Sequence, residues 1–144
     1  MLAIDTNVLV YAADSSAPEH ALCRARLEAC RSGSMPWYLT WAVIYEFLRV
    51  VTHPRVFRTP WSMAEAWRFV DALLASPTVT VLQETPRHAE IAREIVRTIP
   101  ALRGNIAHDL HIAALLKEHG VRALCTRDTD FHRFPFLEVV DPLA

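Results

Sequence analysis

Five acidic side chains interrupt or follow apolar segments of this sequence: Asp5, Glu46, Asp109, Asp128 and Asp130. Two carboxylates about 5 Å apart repel each other by roughly 3 kcal/mol at an effective dielectric constant of 20. A fold that gathers several of them therefore needs a cation, and ligands that are all oxygen select a hard one, Mg²⁺ or Mn²⁺. At such a site a divalent ion lowers the pKa of a bound water, orients it towards a phosphodiester and stabilises the leaving oxygen. The residue types therefore suggest phosphodiester hydrolysis, provided that the fold brings these acids together.

Most of these acids also have a structural explanation when each is taken alone. Asp5 could be an N-cap or turn residue after a strand, and Asp128 and Asp130 could be turn residues. Glu46 could pair with Arg49 at i+3. The apolar neighbours of Glu46 nevertheless favour a buried position, where an unpaired carboxylate is costly.

Asp109 stands at the head of an apolar helical stripe that continues through Ile112, Ala113 and Leu116. This spacing predicts that Asp109 lies on the inner face of its helix. The helix dipole stabilises an acid in the first turn on any face of a helix. The dipole therefore leaves the inward position of Asp109 unexplained, and a functional role is the alternative.

Apolar periodicity predicts strands that alternate with helices along the chain. Short strands are predicted for the segments “MLAI”, “WYLT”, “TVTVL”, “RALCT” and “LEVV”. Helices are predicted for residues 18–31, 41–51, 62–74, 85–99 and 105–120. The segment 41–51, “WAVIYEFLRVV”, is apolar almost all round, so we expect it to form a core helix that Pro54 ends.

Local signals mark several helix starts. Ser62 and Glu65 have the spacing of a capping box. Thr85 followed by Pro86 is typical of an N-cap and a first helical turn, and Asn105 can cap the last helix. The first predicted helix has an apolar face formed by Leu22, Ala25 and Ala29.

This alternation predicts an α/β fold with a mostly parallel central sheet of four to five strands, covered by helices on both faces. Residues 1–144 are expected to form a single domain. In such sheets functional groups collect at the carboxyl ends of the strands. Asp5 and Asp128 each follow a predicted strand, so both are expected at that edge.

Composition limits the other possibilities. The net charge is −1 and the isoelectric point is near 6.6, so any surface that binds nucleic acid must be a local patch. Lys117 is the only Lys among 15 basic residues, and Arg suits phosphate because its planar fork donates two hydrogen bonds. The longest uncharged stretch, 32–45, is too short for a membrane span. Three Cys and no secretion signal favour a reducing cytoplasm.

Four segments together resemble the PIN-domain ribonucleases, in particular the VapC-type toxins of bacterial toxin–antitoxin pairs. They are “IDTNVLVYA” at 4–12, “WAVIYEFLRVVTHPRVF” at 41–57, “RGNIAHDLHIAALLKEHG” at 103–120 and “CTRDTDFHRFPFLEVVDP” at 125–142. Their order and spacing match the family over essentially the whole chain. One departure is Phe136, which stands where relatives often have Gly after “RFP”.

The resemblance implies a ribonuclease that uses Mg²⁺ or Mn²⁺, held by an acidic quartet: Asp5, Glu46, Asp109 and Asp128. It implies that Asp130 supports this site or contributes a ligand. Thr6 and Asn7 would position the first acid and waters, and Thr126 would do the same for the last acid. It also implies a VapB-like antitoxin that blocks the site, and a homodimer. The region of Trp61, Trp67 and Phe69 is expected to be core, a dimer face or an antitoxin groove.

Basic residues beside the acids are candidate phosphate contacts on RNA: Arg103, Arg127, Arg133 and His108. Two other functions stay open. A metal-dependent phosphatase of the haloacid-dehalogenase type would need a second Asp two residues after the first, where this chain has Asn7. A PIN scaffold that has lost catalysis would serve only for binding, but the intact quartet argues against it.

Overall fold

Strands and helices alternate through the computed structural model, which describes all 144 residues. The strands are β1 (Leu2–Ile4), β2 (Trp37–Thr40), β3 (Val79–Leu82), β4 (Ala123–Cys125) and β5 (Glu138–Val140). The helices are α1 (Thr6–Ala13), α2 (His20–Ser32), α3 (Trp41–Thr52), α4 (Met63–Leu74), α5 (His88–Thr98) and α6 (Ile106–Glu118). A short 3-10 helix, Thr129–Arg133, lies between β4 and β5. None of the helices combines the length and the hydrophobicity that a membrane span requires.

The five strands form one parallel sheet in the order β3-β2-β1-β4-β5, which confirms the predicted fold class. Ala3 of β1 pairs with Tyr38 of β2 on one side and with Leu124 of β4 on the other. The chain first builds outwards from β1 to β3 and then crosses back to place β4 against β1. The boundary between β1 and β4 is therefore the topological switch point, where open α/β sheets bind their ligands.

The helices pack in two groups. Helix α1 packs against α2 and α3, α3 packs against α4, and α5 packs against α6. With this strand order, the rule of right-handed crossovers implies that α1–α4 cover one face of the sheet and α5–α6 the other, because the direction of strand addition reverses after β3. The sheet is therefore covered on both faces, as predicted.

Helix α1 was not predicted from the sequence. It begins directly after Asp5, which is its N-cap residue. Its segment “TNVLVYAA” contains β-branched residues that lower helix propensity. Val8, Leu9 and Ala12 are buried, so tertiary packing rather than local propensity stabilises this helix.

The apolar face predicted for α2 is not the face that the structure buries. Leu22 is 53% exposed, and Ala25 and Ala29 are also exposed. Cys23 and Leu27, at an i, i+4 spacing, are the buried residues of this helix. Alanine side chains bury little apolar area, so the face with two alanines and one leucine gains no more from burial than the face with Cys23 and Leu27.

Two predicted helix starts have different outcomes. The Ser62–Glu65 capping box is confirmed: the Glu65 N–H donates to Ser62 Oγ at 3.1 Å, and the Ser62 N–H donates to Glu65 Oε1 at 3.4 Å. The Thr85 start is wrong, because α5 begins only at His88. Thr85 Oγ1 accepts a hydrogen bond from the Arg87 N–H and donates one to Glu118 instead of capping the helix.

Asn105 does precede α6, as predicted, but its side chain makes no capping hydrogen bond. The apolar stripe of α6 is confirmed, since Ile112, Ala113 and Leu116 are all buried. Asp109 lies in the first turn of this helix and is half-buried.

Candidate metal centre

The carboxyl end of β1 holds Asp5 in a dense hydrogen-bond network. The Asp5 N–H donates to the Cys125 carbonyl at 3.0 Å, which continues the pairing of β1 with β4. Its Oδ1 accepts from the Thr6 N–H at 2.8 Å. Its Oδ2 accepts from Thr126 Oγ1 at 2.7 Å and from Asn7 Nδ2 at 3.1 Å. Asp5 therefore has a fixed orientation at the switch point of the sheet.

Burial raises the pKa of Asp5, and the charge of Asp128 raises it further. The hydrogen bonds from Thr126, Thr6 and Asn7 act in the opposite direction, because they stabilise the carboxylate. Burial prevails, so the charged form of Asp5 is disfavoured in the protein alone.

Asn7 and Thr126 link the two loops that follow β1 and β4. Asn7 Nδ2 also donates to Thr126 Oγ1 at 3.0 Å, and Asn7 Oδ1 accepts from the Arg127 N–H at 3.0 Å. Thr126 Oγ1 accepts from the Asp128 N–H at 2.9 Å. The loop that carries Asp128 is thus fastened to the loop that carries Asp5. The supporting roles of Asn7 and Thr126 in metal binding stay a prediction.

Three further carboxylates cluster beside Asp5. One oxygen from each of Asp109, Asp128 and Asp130 lies within 4.8 Å of the others. Burial, together with the like charges of Asp128, Asp5 and Asp130, raises the pKa of Asp109 to about 6. The cluster therefore carries negative charge that the side chains around it do not fully neutralise.

The donor set of this cluster fits a hard divalent cation. Every candidate ligand atom in the cluster is a carboxylate oxygen, which suits Mg²⁺ or Mn²⁺ better than zinc. The Asp130 N–H donates to Asp128 Oδ1 at 2.9 Å, so these two acids are also held relative to one another.

All five acids line one cleft of about 780 Å³. The polar and basic residues that share its wall are Thr6, Asn7, Arg49, Asn105, His108 and His111. Thr6 contributes in a second way, since its hydroxyl donates to the Val43 carbonyl at 3.3 Å and so joins α1 to α3. The structure thus brings the whole predicted quartet to one cleft.

The prediction that Glu46 is buried was wrong. Its side chain is 47% exposed and accepts two hydrogen bonds from Arg49, from Nε at 2.9 Å and from Nη2 at 2.6 Å. The hydrogen bond from Arg49 lowers the pKa of Glu46, although partial burial opposes it. Helix α3 turns another face to the core, formed by Val43, Ile44, Phe47, Leu48 and Val51.

The predicted phosphate contacts are scattered. His108 lines the cleft. The Arg127 guanidinium instead faces Glu19 at 3.5 Å and Asp141 at 3.7 Å. Arg103 and Arg133 are exposed and lie outside the cleft wall. The role of these four residues in RNA binding stays a prediction.

Arg49 lines the cleft, although the sequence predicted it only as a partner of Glu46. The signal was present, because residues three apart on a helix share a face. A functional Glu46 therefore placed Arg49 beside the same cleft.

Known proteins resemble this chain over most of its length. The family described as “PIN domain” matches residues 2–137. Ribonuclease VapC43 of Mycobacterium tuberculosis is 40% identical over 143 residues, which cover 99% of this chain and 96% of that protein.

Two solved structures share the fold. VapBC2 from Rickettsia felis, bound to a DNA fragment from its promoter, matches with a TM-score of 0.68 at 18% identity over 96% of each chain. VapC20 of Mycobacterium tuberculosis, described as a sarcin-ricin loop cleaving toxin, has a TM-score of 0.68 at 20% identity and covers 98% of this chain and 100% of its own. At these identities the likeness supports the fold alone.

Proposed function

Since the chain belongs to the PIN-domain family, we propose that it is an endoribonuclease of the VapC type that depends on Mg²⁺ or Mn²⁺. The observation that carries the proposal is the cluster of Asp109, Asp128 and Asp130 beside buried Asp5 at the switch point of the sheet. A full-length relative at 40% identity is named a ribonuclease, which supports RNA as the substrate.

In this proposal Asp5, Glu46, Asp109 and Asp128 hold the cation, and Asp130 orients Asp128 or adds an oxygen. When bound, a divalent cation acidifies water and neutralises the charge that develops on the phosphate. Asp5 enters the site already oriented by Thr126 and Asn7. Such outer hydrogen bonds fix the direction in which a ligand faces the cation.

The partner in this proposal is a VapB-like antitoxin, and the protein itself is expected to form a homodimer. A second cavity of about 360 Å³ supports the view that the protein binds a partner helix. Its wall combines the apolar residues Leu27, Trp61, Phe69 and Leu73 with the basic residues Arg24 and Arg31. Helix α1 borders both cavities, through Val10 and Tyr11 on one and through Ala12 and Ala13 on the other.

An apolar partner helix in this second cavity could extend along α1 to the carboxylates and offer them an Arg in place of the metal. We propose that the protein is located in the reducing cytoplasm. This location would suit an RNA substrate and the three free cysteines.

The experiment that tests this function is a digest of total RNA followed by mapping of the new ends. The arms are Mg²⁺, Mn²⁺ and EDTA, each with the natural protein, with Asp5→Asn and with Asp71→Asn. Asp71 is an exposed acid of α4 outside the cleft and serves as the matched control.

We expect defined cuts with either metal, for the natural protein and for Asp71→Asn, and none in EDTA or with Asp5→Asn. Cleavage that persists in EDTA would end the metal mechanism. If the protein binds Mn²⁺ but cuts no RNA in the digest, the result would instead favour a PIN scaffold that serves only for binding.

A further inference from the structure

Arg49 is the only Arg or Lys side chain in the wall of the acid cleft. Its fork holds both oxygens of Glu46, with Nε on Oε2 and Nη2 on Oε1. The three clustered acids Asp109, Asp128 and Asp130 have no such partner among the Arg and Lys side chains. Glu46 is therefore the one acid of the cleft that the protein neutralises with its own permanent cation.

This ion pair is exposed to solvent and is therefore weak. The Arg49 side chain is 56% exposed and that of Glu46 is 47% exposed. An exposed pair of this kind contributes at most about 1 kcal/mol. A divalent cation in the cleft would compete for the same two oxygens of Glu46, and the pair is weak enough to yield to it.

The released guanidinium would not be left without an anion. Its planar fork matches the geometry of a phosphate as well as that of a carboxylate. Arg49 also borders a neighbouring surface depression that includes Tyr45, Thr52, His53 and Trp67. It thus stands at the boundary between the acid cleft and a surface onto which an RNA strand could continue.

We propose that Arg49 is a phosphate-binding residue that Glu46 holds in reserve and releases to the RNA when a divalent cation occupies the cleft. This inference rests on the proposed ribonuclease function and adds a coupling to it. Because Glu46 can serve either the guanidinium or the cation, cation binding and RNA binding strengthen each other through Arg49. When no divalent cation is present, the pair with Arg49 also neutralises the negative charge of Glu46.

The test compares Arg49→Gln with Arg87→Gln. Arg87 is a matched control because it forms an exposed i, i+3 pair with Glu90 at the start of α5, outside the cleft. Mn²⁺ affinity is measured by titration with detection of free Mn²⁺ by electron paramagnetic resonance. RNA affinity is measured by the anisotropy of a fluorescent mixed-sequence RNA oligonucleotide, in EDTA and in Ca²⁺. Calcium fills oxygen sites with a looser geometry than Mg²⁺, and a gel verifies that the RNA stays intact.

We expect Arg49→Gln to bind Mn²⁺ about two- to fivefold more tightly, because a competing cation is gone. We expect the gain in RNA affinity on adding Ca²⁺ to fall by the same two- to fivefold in this variant, because the coupling between cation and RNA is reciprocal. Arg87→Gln should match the natural protein in both measurements.

Three results would overturn the inference, and they are distinguishable. If either measurement on Arg49→Gln matches Arg87→Gln, the Glu46 pair is an ordinary surface contact. If RNA affinity falls equally in EDTA and in Ca²⁺, Arg49 binds phosphate permanently and no exchange occurs. If the natural protein binds no Mn²⁺, the metal centre of the proposed function falls as well.

Discussion

The two ends of α6 carry carboxylates in opposite electrostatic settings. Near its C-terminal end, the Glu118 side chain is fully covered and accepts hydrogen bonds at 2.8 Å from both the N–H and the hydroxyl of Thr85. It also contacts His88 Nδ1. In the first turn, half-buried Asp109 instead shares its surroundings with the like charges of Asp128 and Asp130.

The pKa values record this difference. Burial alone would raise the pKa of Glu118, but the hydrogen bonds from His88 and Thr85 outweigh it and the pKa is lowered. Burial and like charges both raise the pKa of Asp109, to about 6. Burial therefore does not by itself mark an acid as functional. What marks Asp109 is that the fold surrounds it with more negative charge.

This contrast assigns different tasks to the two acids. Glu118 joins the segment before α5 to the end of α6, so its task is structural. Asp109 is kept in a setting that weakens the protein unless a cation is supplied, which is typical of functional sites. Four changes would break or sharpen the comparison.

The largest effect is expected from Asp109→Asn, which removes a charge from the cleft but keeps the shape of the side chain. We expect RNA cleavage to fall at least about 1,000-fold, since losing even an outer partner of a metal ligand costs 10- to 100-fold. The free energy of unfolding without metal should not fall, because repulsion is relieved. Single-turnover cleavage and urea denaturation of the same sample measure both. A variant that is unstable yet active would reverse the assignment.

The second effect concerns Glu118→Ala, which leaves His88 and Thr85 without their shared acceptor. We expect a loss of about 2–4 kcal/mol in the free energy of unfolding, because the buried carboxylate is removed and the hydrogen-bond donors of Thr85 and His88 lose their acceptor. The cleavage rate per folded molecule and the Mn²⁺ affinity should stay unchanged. Denaturation and an active-fraction assay test this. A stable but inactive Glu118→Ala would place this acid in the functional set after all.

The third effect is the pH dependence of the metal-free protein. Because the pKa of Asp109 is about 6 when folded and 3.8 ordinarily, the folded state holds more protons between these values. Stability from this group therefore falls as the pH rises through that window. After allowing for the solvent screening of a half-buried group, we expect a loss of about 1 kcal/mol between pH 5 and pH 7.

The measurement is urea denaturation in EDTA at both pH values. The contribution of Asp109 is the difference between the natural protein and Asp109→Asn in how the free energy of unfolding changes with pH. Saturating Mn²⁺ at pH 7 should restore the lost stability of the natural protein. Identical slopes for the two proteins would show that the Asp109 environment is not strained.

The sequence predicted the parallel sheet and the acids at its carboxyl edge, because apolar runs and the acids that follow them are local signals. The environment of each acid, in contrast, depends on residues that are distant along the chain. Glu46 was expected to be buried among its apolar neighbours, but α3 turns Val43 and Phe47 inwards and leaves Glu46 at the cleft edge. Asp130 was expected to support the site or to contribute a ligand, and only the structure shows that it forms one group with Asp109 and Asp128.

Glu118 was not singled out from the sequence at all. Its partners, Thr85 and His88, lie 33 and 30 residues away along the chain. Thr85 was expected to cap α5, and a local capping rule cannot show that its hydroxyl serves a distant carboxylate instead. The pairing partners of an acid therefore needed the three-dimensional structure.

The smallest effect isolates burial itself. His111 Nε2 lies 2.7 Å from Glu84 Oε1, so Glu84 and His111 form a Glu–His pair like that of Glu118 and His88. The two imidazole rings meet edge to face with their centroids 5.5 Å apart. The Glu84 side chain is 51% exposed, whereas that of Glu118 is covered. We expect Glu84→Ala to change the free energy of unfolding by less than about 0.5 kcal/mol, because water replaces the lost partner.

Denaturation of Glu84→Ala beside Glu118→Ala, and of the double variant, measures the two pairs and their coupling. If Glu84→Ala destabilised the protein as much as Glu118→Ala, burial would not explain why one Glu–His pair stabilises the fold. The stabilisation of the fold by Glu118 would then need a cause other than solvent exclusion. A small effect for Glu84 and a large one for Glu118 would leave solvent exclusion as the reason why Glu118 needs its partners, whereas the acid cluster needs a cation because like charges surround Asp109.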